Sequence, residues 1–347
     1  MNSLSKFIFM LVYFLNASFY AQETIVYGKE NEHARAICSN RKIVFVGTNL
    51  GNVYRIKKNK SELISTDTYP EIRDIQFTNG KLYVMQTGDY GRMLCFKKTT
   101  KRSYVLSSIQ SFEMKGQNVF LDGFCISKNK GLLMGDPIDG KFSLYSFCAS
   151  GEWKILPAVA SKTGEAAFAA SGSTVQIIGN NWYFVSGGLK TRLFHSTNEG
   201  LTWNIEEVPF SSCESCGAYS LGVIQNTQAK KDLIVLLGGD YKFPEESMNT
   251  SFFRDYYQSN WTESTNSPAG YRSVVIYNSK SRLLFCGGTN GIDFSSDDGK
   301  TWNFLSKEKC YSMIPSGRGI IFSSDKGKII RIKELKLNTN YHQKSVN

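Results

Sequence analysis

Ser196-Thr197-Asn198-Glu199-Gly200-Leu201-Thr202-Trp203 and Ser295-Ser296-Asp297-Asp298-Gly299-Lys300-Thr301-Trp302 are two copies of one pattern, S-x-[DN]-x-G-x-T-W. The spacing describes a hairpin turn. The Asx side chain caps its own turn, the glycine supplies a positive-φ position, and the tryptophan three residues on packs under the loop. A turn of this kind is structural and carries no catalytic group. The copies lie ninety-nine residues apart, which leaves room for further units of the same architecture between and around them.

Those units are visible as dense apolar runs that end in glycine: 43–47, 82–88, 132–135, 182–187, 233–238, 283–287 and 319–323, the last with serine in place of glycine. An unbroken apolar run, as opposed to strict alternation, marks a strand buried on both faces. Each run sits between a short alternating strand and a tight turn leading to another strand, so seven units repeat. No convincing amphipathic helix appears, and the Ala-rich stretch 165–170 falls at a first-strand position. The pattern predicts an all-β fold, a seven-bladed β-propeller of four-stranded antiparallel blades of the sialidase-like Asp-box type. The blades are expected at 33–66, 71–110, 119–157, 165–209, 218–264, 271–306 and 310–334. The last lacks a fourth strand, and Gln22 to Tyr27 is suited to supply it and close the ring.

Residues 1–21 read as a signal peptide, with Lys6 before an apolar run from Phe7 to Leu15 and small residues up to Ala21. The propeller then spans 22–335, followed by a tail at 336–347. The apolar run is too short to span a bilayer, no transmembrane segment is expected in the mature chain, and the localisation is exported, periplasmic or secreted. Removing the leader takes away one charged residue and leaves 40 basic against 30 acidic residues. That excess favours acidic partners, although Lys57, Lys58, Lys60, Lys97, Lys98, Lys101, Lys328 and Lys333 also suit outer strands that must resist edge-to-edge pairing. No basic stripe with interleaved aromatics occurs, so nucleic acid is not an expected partner.

Of eight cysteines, Cys38, Cys125, Cys286 and Cys310 lie in apolar strand patterns, as buried free thiols do. Cys213-Glu214-Ser215-Cys216 is a C-x-x-C in a polar loop: a local disulfide, free thiols, or half a metal site. His33, His195 and His342 have no ligand spacing, so no metal is expected. No nucleophile elbow, phosphate loop or dinucleotide glycine pattern occurs, and no cofactor is expected.

In a propeller the turns between second and third strands, and the segments leading into first strands, share one face. On that face fall Arg73, Asp122, Asp136, Asp139, Glu165, Arg192, Asp240, Tyr241, Tyr271 and Arg272, the candidate ligand- or partner-binding residues. Arginine offers paired hydrogen bonds to carboxylate or phosphate, and neighbouring acids suit general acid-base work. Asp-Pro and Gly-Gly-Asp are equally ordinary turn chemistry. The structural turn residues Ser196, Asn198, Gly200, Trp203, Ser295, Asp297, Gly299 and Trp302 belong to the opposite face.

The stretches 136–140, 164–172, 191–196, 238–241 and 270–273, with the turn at Ser295, resemble bacterial Asp-box (BNR-repeat) propellers similar to photosystem II stability/assembly factors. The resemblance runs from about Arg73 to the C-terminus. Members are often labelled oxidoreductase or glycosyl hydrolase. The resemblance implies the fold first, and a binding scaffold for a partner protein second. Asn198 departs from the usual Asp, Cys213 and Cys216 stand where the family carries small residues, and Trp153 and Trp261 keep only the aromatic position of lost boxes. The preferred reading is an exported binding or assembly scaffold for an unknown protein partner or an anionic glycan. The alternative is a sialidase-like glycoside hydrolase. That class implies an arginine triad, a Tyr-Glu pair and an acid, roles open in name to Arg73, Arg192, Arg272, Tyr241 or Tyr271, Glu165 and Asp136. The chain lacks the early Arg-Ile-Pro segment and spacing of that class.

Overall fold

Each glycine-ended run forms the second strand of a small antiparallel sheet. Its two faces pack against neighbouring sheets, which is why it is apolar throughout. The computed structural model describes residues 22–66, 71–100, 103–226, 231–255 and 260–333. The expected leader, the tail, Lys101 and His342 lie outside the described residues. Among the described residues there is no α-helix, and the strands form seven antiparallel sheets, a seven-bladed β-propeller. The inner strands of blades one to seven are Ala36–Asn40, Ile72–Thr78, Leu121–Ser127, Val175–Ile178, Cys216–Asn226, Val274–Asn278 and Ser312–Ser316.

Blade three runs past residue 157 to take in Val159–Ala160, which pairs with its third strand, and two boundaries differ further from expectation. The outer strand of blade two, Tyr104–Met114, runs past residue 110 and pairs further with Gln117–Asn118. In blade four the first strand is Val175–Ile178, ten residues beyond the expected start; only Glu165–Ala166 is extended upstream of it, pairing with Gly187–Gly188. Downstream of that pair, the Ala167 amide and the Ala169 carbonyl bond side chains at the mouth of the channel, as described below.

The hydrophobic cores lie between blades. Ala36 and Phe45 of blade one pack with Ile72, Val84 and Leu94 of blade two, and the same arrangement recurs around the ring. The seventh interface joins Ile321 and Ile329 of blade seven to Val44 and Val46 of blade one, and it includes Ile25, Tyr27 and Ala34 from the N-terminal segment. That segment also supplies the missing strand: Gln22–Val26 pairs antiparallel with Lys328–Ile332, in register from Gln22 opposite Ile332 to Val26 opposite Lys328. The link onward to blade one is fixed by the Tyr27 amide on the Gly327 carbonyl (2.7 Å) and the Gly327 amide on the Glu32 carbonyl (2.7 Å).

Both repeated turns join third to fourth strands and share one hydrogen-bond scheme. Ser196 Oγ accepts from the Gly200 amide (2.9 Å) and Asn198 Oδ1 from the Thr202 amide (3.0 Å). Ser295 Oγ and Asp297 Oδ1 do the same for Gly299 (2.9 Å) and Thr301 (2.9 Å). Trp302 is buried and donates from Nε1 to Ser251 Oγ of the preceding blade at 3.0 Å, whereas the partly exposed Trp203 donates to the Gly200 carbonyl at 3.1 Å. The face that carries these turns is called lower here; the turns between second and third strands form the upper face.

Truncating Ile25, which is 4% exposed at the closing interface, removes apolar contacts that cost about 2–5 kcal/mol for a buried Ile→Ala change. Deleting residues 22–28 is expected to lower the melting temperature further than Ile25→Ala, because it also frees the edge of Lys328–Ile332. Thermal unfolding checks this, and an unchanged melting curve for the deletion contradicts it.

Candidate functional site

The ten candidate residues separate by environment. Glu165 and Arg192 form a buried ion pair, with Arg192 Nε donating to Oε1 at 2.8 Å and Nη2 to Oε2 at 2.5 Å. Ser186 Oγ and the Lys162 amide complete the shell around the same carboxylate. Arg272 is fully buried and bonds Asp293 through Nε (2.6 Å), with Nη1 on the Tyr271 carbonyl (2.9 Å) and on Asn290. These pairs tie strands and loops together within blades four and six. Asp139 sits at the tip of a blade-three hairpin, at positive φ and in an exposed ion pair with Lys115. An exposed pair of this kind contributes little to stability.

Arg73, Asp122, Asp136 and Tyr271 do converge on the upper mouth, and what they meet there is the chain's own segment 165–173. Arg73 Nη1 donates to the Ala169 carbonyl at 2.7 Å while its guanidinium lies 2.7 Å from the Glu71 carboxylate. Asp136 Oδ1 accepts from the Ala167 amide at 2.9 Å. Ser171 Oγ crosses to the Ser273 carbonyl of blade six at 2.7 Å. Gly172, at φ +76°, lies directly against the Asp74 carboxylate of blade two, where any β-carbon would collide. Phe168 stacks flat on Tyr219 with ring centroids 4.1 Å apart, and Tyr271 meets the same Tyr219 edge-on at 4.9 Å. Residues from blades two, three, five and six therefore grip one crossing strap, which stands where a ligand of the mouth would sit.

Burial governs the acids around the strap. Asp122 is 1% exposed, and neither carboxylate oxygen meets a hydrogen-bond donor at good geometry. Burial, and then the Asp136 charge, push its pKa well up, with Arg73 acting the other way. Burial also raises Asp136, against the Ala167 amide. Asp74 is raised to about 7 by burial, against hydrogen bonds from the Phe124 and Ile75 amides.

Several residues of the mouth escaped the sequence reading. Arg35 immediately precedes the inner strand of blade one and lies 5.9 Å from the Tyr311 ring, which also packs on His33 at 5.2 Å. Arg35, just before Ala36–Asn40, and Arg73, the second residue of Ile72–Thr78, both stand at the start of an inner strand, a shared position that could have drawn attention to Arg35. Asp74, Phe168, Ser171 and Tyr219 had no local signal, since only the crossing strap gives them roles.

Asp240 and Tyr241 belong to a second feature, the long connection of blade five. Cys213 and Cys216 are disulfide-bonded beside it, with Asp240 Oδ2 at 3.5 Å from Cys213 Sγ and 3.9 Å from Cys216 Sγ. Cys38, Cys95, Cys125, Cys148, Cys286 and Cys310 are free, and burial pushes the Cys125 thiol up to about 11. From Asp240 to Ser251 the chain is held by the Lys242 amide on Asp240 Oδ1 (2.8 Å) and the Phe243 amide on the Asp240 carbonyl (3.2 Å). The Pro244 carbonyl also receives the Tyr271 amide (2.9 Å) and Asn290 Nδ2 (2.6 Å) from blade six. This fixed loop leaves Tyr241, Phe243 and Met248 52%, 60% and 78% exposed. Beneath the strap, the channel encloses about 420 Å³ bounded by inner strands of every blade, including Ile37, Asp74, Phe124, Val223, Tyr277 and Met313.

No family model matches the chain, and no curated protein does. Solved structures do. Virginiamycin B lyase from Staphylococcus aureus aligns with TM-score 0.62 at 10% identity, over 91% of this chain and 100% of that one. YCF48 from Cyanidioschyzon merolae aligns with TM-score 0.59 at 14% identity, over 90% and 98%. YCF48 bound to D1 peptide aligns with TM-score 0.59 at 12% identity, over 91% and 97%. At these identities the likeness establishes the β-propeller alone.

An acid whose pKa is raised by folding contributes stability that is complete below its unfolded value and lost as pH rises through the folded one. For Asp74 that loss runs from about pH 4 to about 7, whereas His33 and His195, lowered by burial, act in the opposite sense. The clean readout is the stability of the wild type minus that of Asp74→Asn, which is expected to fall between pH 5 and pH 8. Denaturant unfolding at each pH checks it, and a difference that rises or stays flat contradicts the assignment.

Proposed function

We propose that this chain is an exported Asp-box propeller acting as a binding or assembly scaffold, with its partner engaged on the upper face. The observation that carries the reading is the blade-five loop, whose backbone is bonded in place while Tyr241, Phe243 and Met248 stand exposed around it. Rigid, exposed aromatic side chains lose little entropy on binding and serve as anchors at protein interfaces. Leu189 of blade four and Phe120, before the inner strand of blade three, are further exposed apolar groups of this face. The strap supports the same reading, because Arg73 and Asp136 are already occupied by backbone groups. The sequence resemblance to assembly-factor propellers agrees with it, and a structure of the same fold has been solved bound to a peptide. Export through residues 1–21 is part of the proposal.

A sialidase-like hydrolase would need a carboxylate free to meet a sugar. Glu165 has both oxygens on Arg192, and Asp136 Oδ1 holds the Ala167 amide.

A photo-cross-linking amino acid at position 243, in cells that make the protein, is expected to give a discrete adduct that the same label at Leu63 on an outer strand does not. The captured protein, once purified, should bind the Tyr241→Ser/Phe243→Ser/Met248→Ser variant at least tenfold more weakly than the wild type. No adduct at 243, or equal affinity for the variant, overturns the reading. Turnover of fluorogenic glycosides abolished by Asp136→Asn would replace it with the hydrolase.

A further inference from the structure

The lower face carries a recess that the proposed function does not use. It lies where blades six, seven and one meet and has a volume of about 570 Å³, within the range of clefts that accept small-molecule ligands. Five basic side chains line it: Arg41 and Lys42 from the first turn of blade one, Lys58 from its last turn, Lys280 from the first turn of blade six, and Arg331 from blade seven. No Asp or Glu belongs to the lining, which instead adds the polar residues Ser39 and Ser316. Arg331 is neutralised by Glu23 at 2.7 Å, and Glu23 also takes a hydrogen bond from Asn59 at the rim. Arg41, Lys42, Lys58 and Lys280 have no ion-pair partner among the described residues.

The wall is built firmly enough to hold these charges together. Asn278 Nδ2 donates to the Gly317 carbonyl (3.2 Å) and the Gly319 carbonyl (2.7 Å), while Asn278 Oδ1 accepts from the Lys280 amide (3.0 Å). Arg318 Nη1 donates to the Lys280 carbonyl at 3.2 Å, so the turns of blades six and seven are locked to each other. Edge protection does not account for the cluster. Lys58 suits that role, but Arg41, Lys42 and Lys280 sit in or beside turns next to inner strands, away from any free sheet edge. Unpaired like charges gathered in one concavity focus a positive potential that a multivalent anion relieves.

We infer that this recess binds a small, flexible oligoanion bearing two or more tetrahedral phosphate or sulfate groups. Arg41 offers a planar fork to one oxyanion, and Lys42, Lys58 and Lys280 offer mobile point charges to the others. The volume suits a chain of such groups better than a single ion. The inference is independent of the upper-face partner, since the two sites lie on opposite faces.

Isothermal titration at low salt with sodium tripolyphosphate and, separately, sucrose octasulfate tests it and distinguishes a phosphate chain from a sulfated sugar as the source. At least one probe is expected to bind with unit stoichiometry, to weaken as salt is raised, and to lose at least tenfold in affinity in Lys42→Ala/Lys58→Ala/Lys280→Ala. Lys97→Ala/Lys98→Ala/Lys141→Ala removes the same net charge from exposed positions on blades two and three and should stay within threefold of the wild type. Melting curves confirm that both variants fold, and all six substitutions fall on exposed side chains. Binding of neither probe, equal loss in both variants, or binding unaffected by the first variant overturns the inference.

Discussion

The structure depends on closure of the ring. Seven inter-blade cores exist only if every blade has a neighbour on each side, and the interface between blades seven and one is made by segments about 275 to 310 residues apart in sequence. Gln22–Val26 completes blade seven by pairing with Lys328–Ile332, and the same segment places Ile25 and Tyr27 in the last interface. Without that strand the outer edge of blade seven would present unpaired amides and carbonyls, and one core would lose its cover. Ion pairs such as Glu165–Arg192 and Arg272–Asp293 act inside this frame. They hold individual loops to their own blades, and breaking one would leave a buried charge uncompensated, at a cost of about 3–5 kcal/mol.

Closure also fixes what the channel can do. Seven inner strands leave a lumen, and segment 165–173 crosses its upper mouth, bonded to Arg73, Asp136 and Ser273 and stacked on Tyr219. Arg73, Asp136 and Ser171 there each hold a backbone atom of the same chain. The two surfaces proposed here for other molecules, the loop of blade five that carries Tyr241 and Phe243 above and the basic recess between blades six, seven and one below, lie outside that mouth.

How much of this is legible in the sequence follows from the range of the interactions. The second strands are readable because burial on both faces imposes a continuous apolar run, as in Leu233–Leu237. The two turns are readable because the bonds that shape them, from the Ser and Asx side chains to the Gly and Thr amides, lie within eight residues. The upper-face position of Arg73, Asp122 and Asp136 follows from connectivity, since the first two stand at the starts of first strands and the third near the end of a second strand. By contrast, 165–170 looks like a first strand, and only its long-range partners show that it is a strap. Glu165 and Arg272 interrupt small-residue stretches and so draw attention as site residues, yet the partners that bury them, Arg192 and Asp293, lie 21 or more positions away. The basic recess has no sequence signature, because its cations come from turns up to about 240 positions apart. The face that the repeated turns occupy is the face where those cations meet.

The central claim is that the upper mouth is filled by the protein itself, and the amide of Ala167 reports on it most directly, since its acceptor is Asp136 of the neighbouring blade. Native-state hydrogen exchange followed by NMR is expected to show this amide protected to the level of the adjacent inner strands, as befits a segment that opens only with its blade. Exchange at the rate of an exposed loop would contradict the account and leave the mouth open to a ligand.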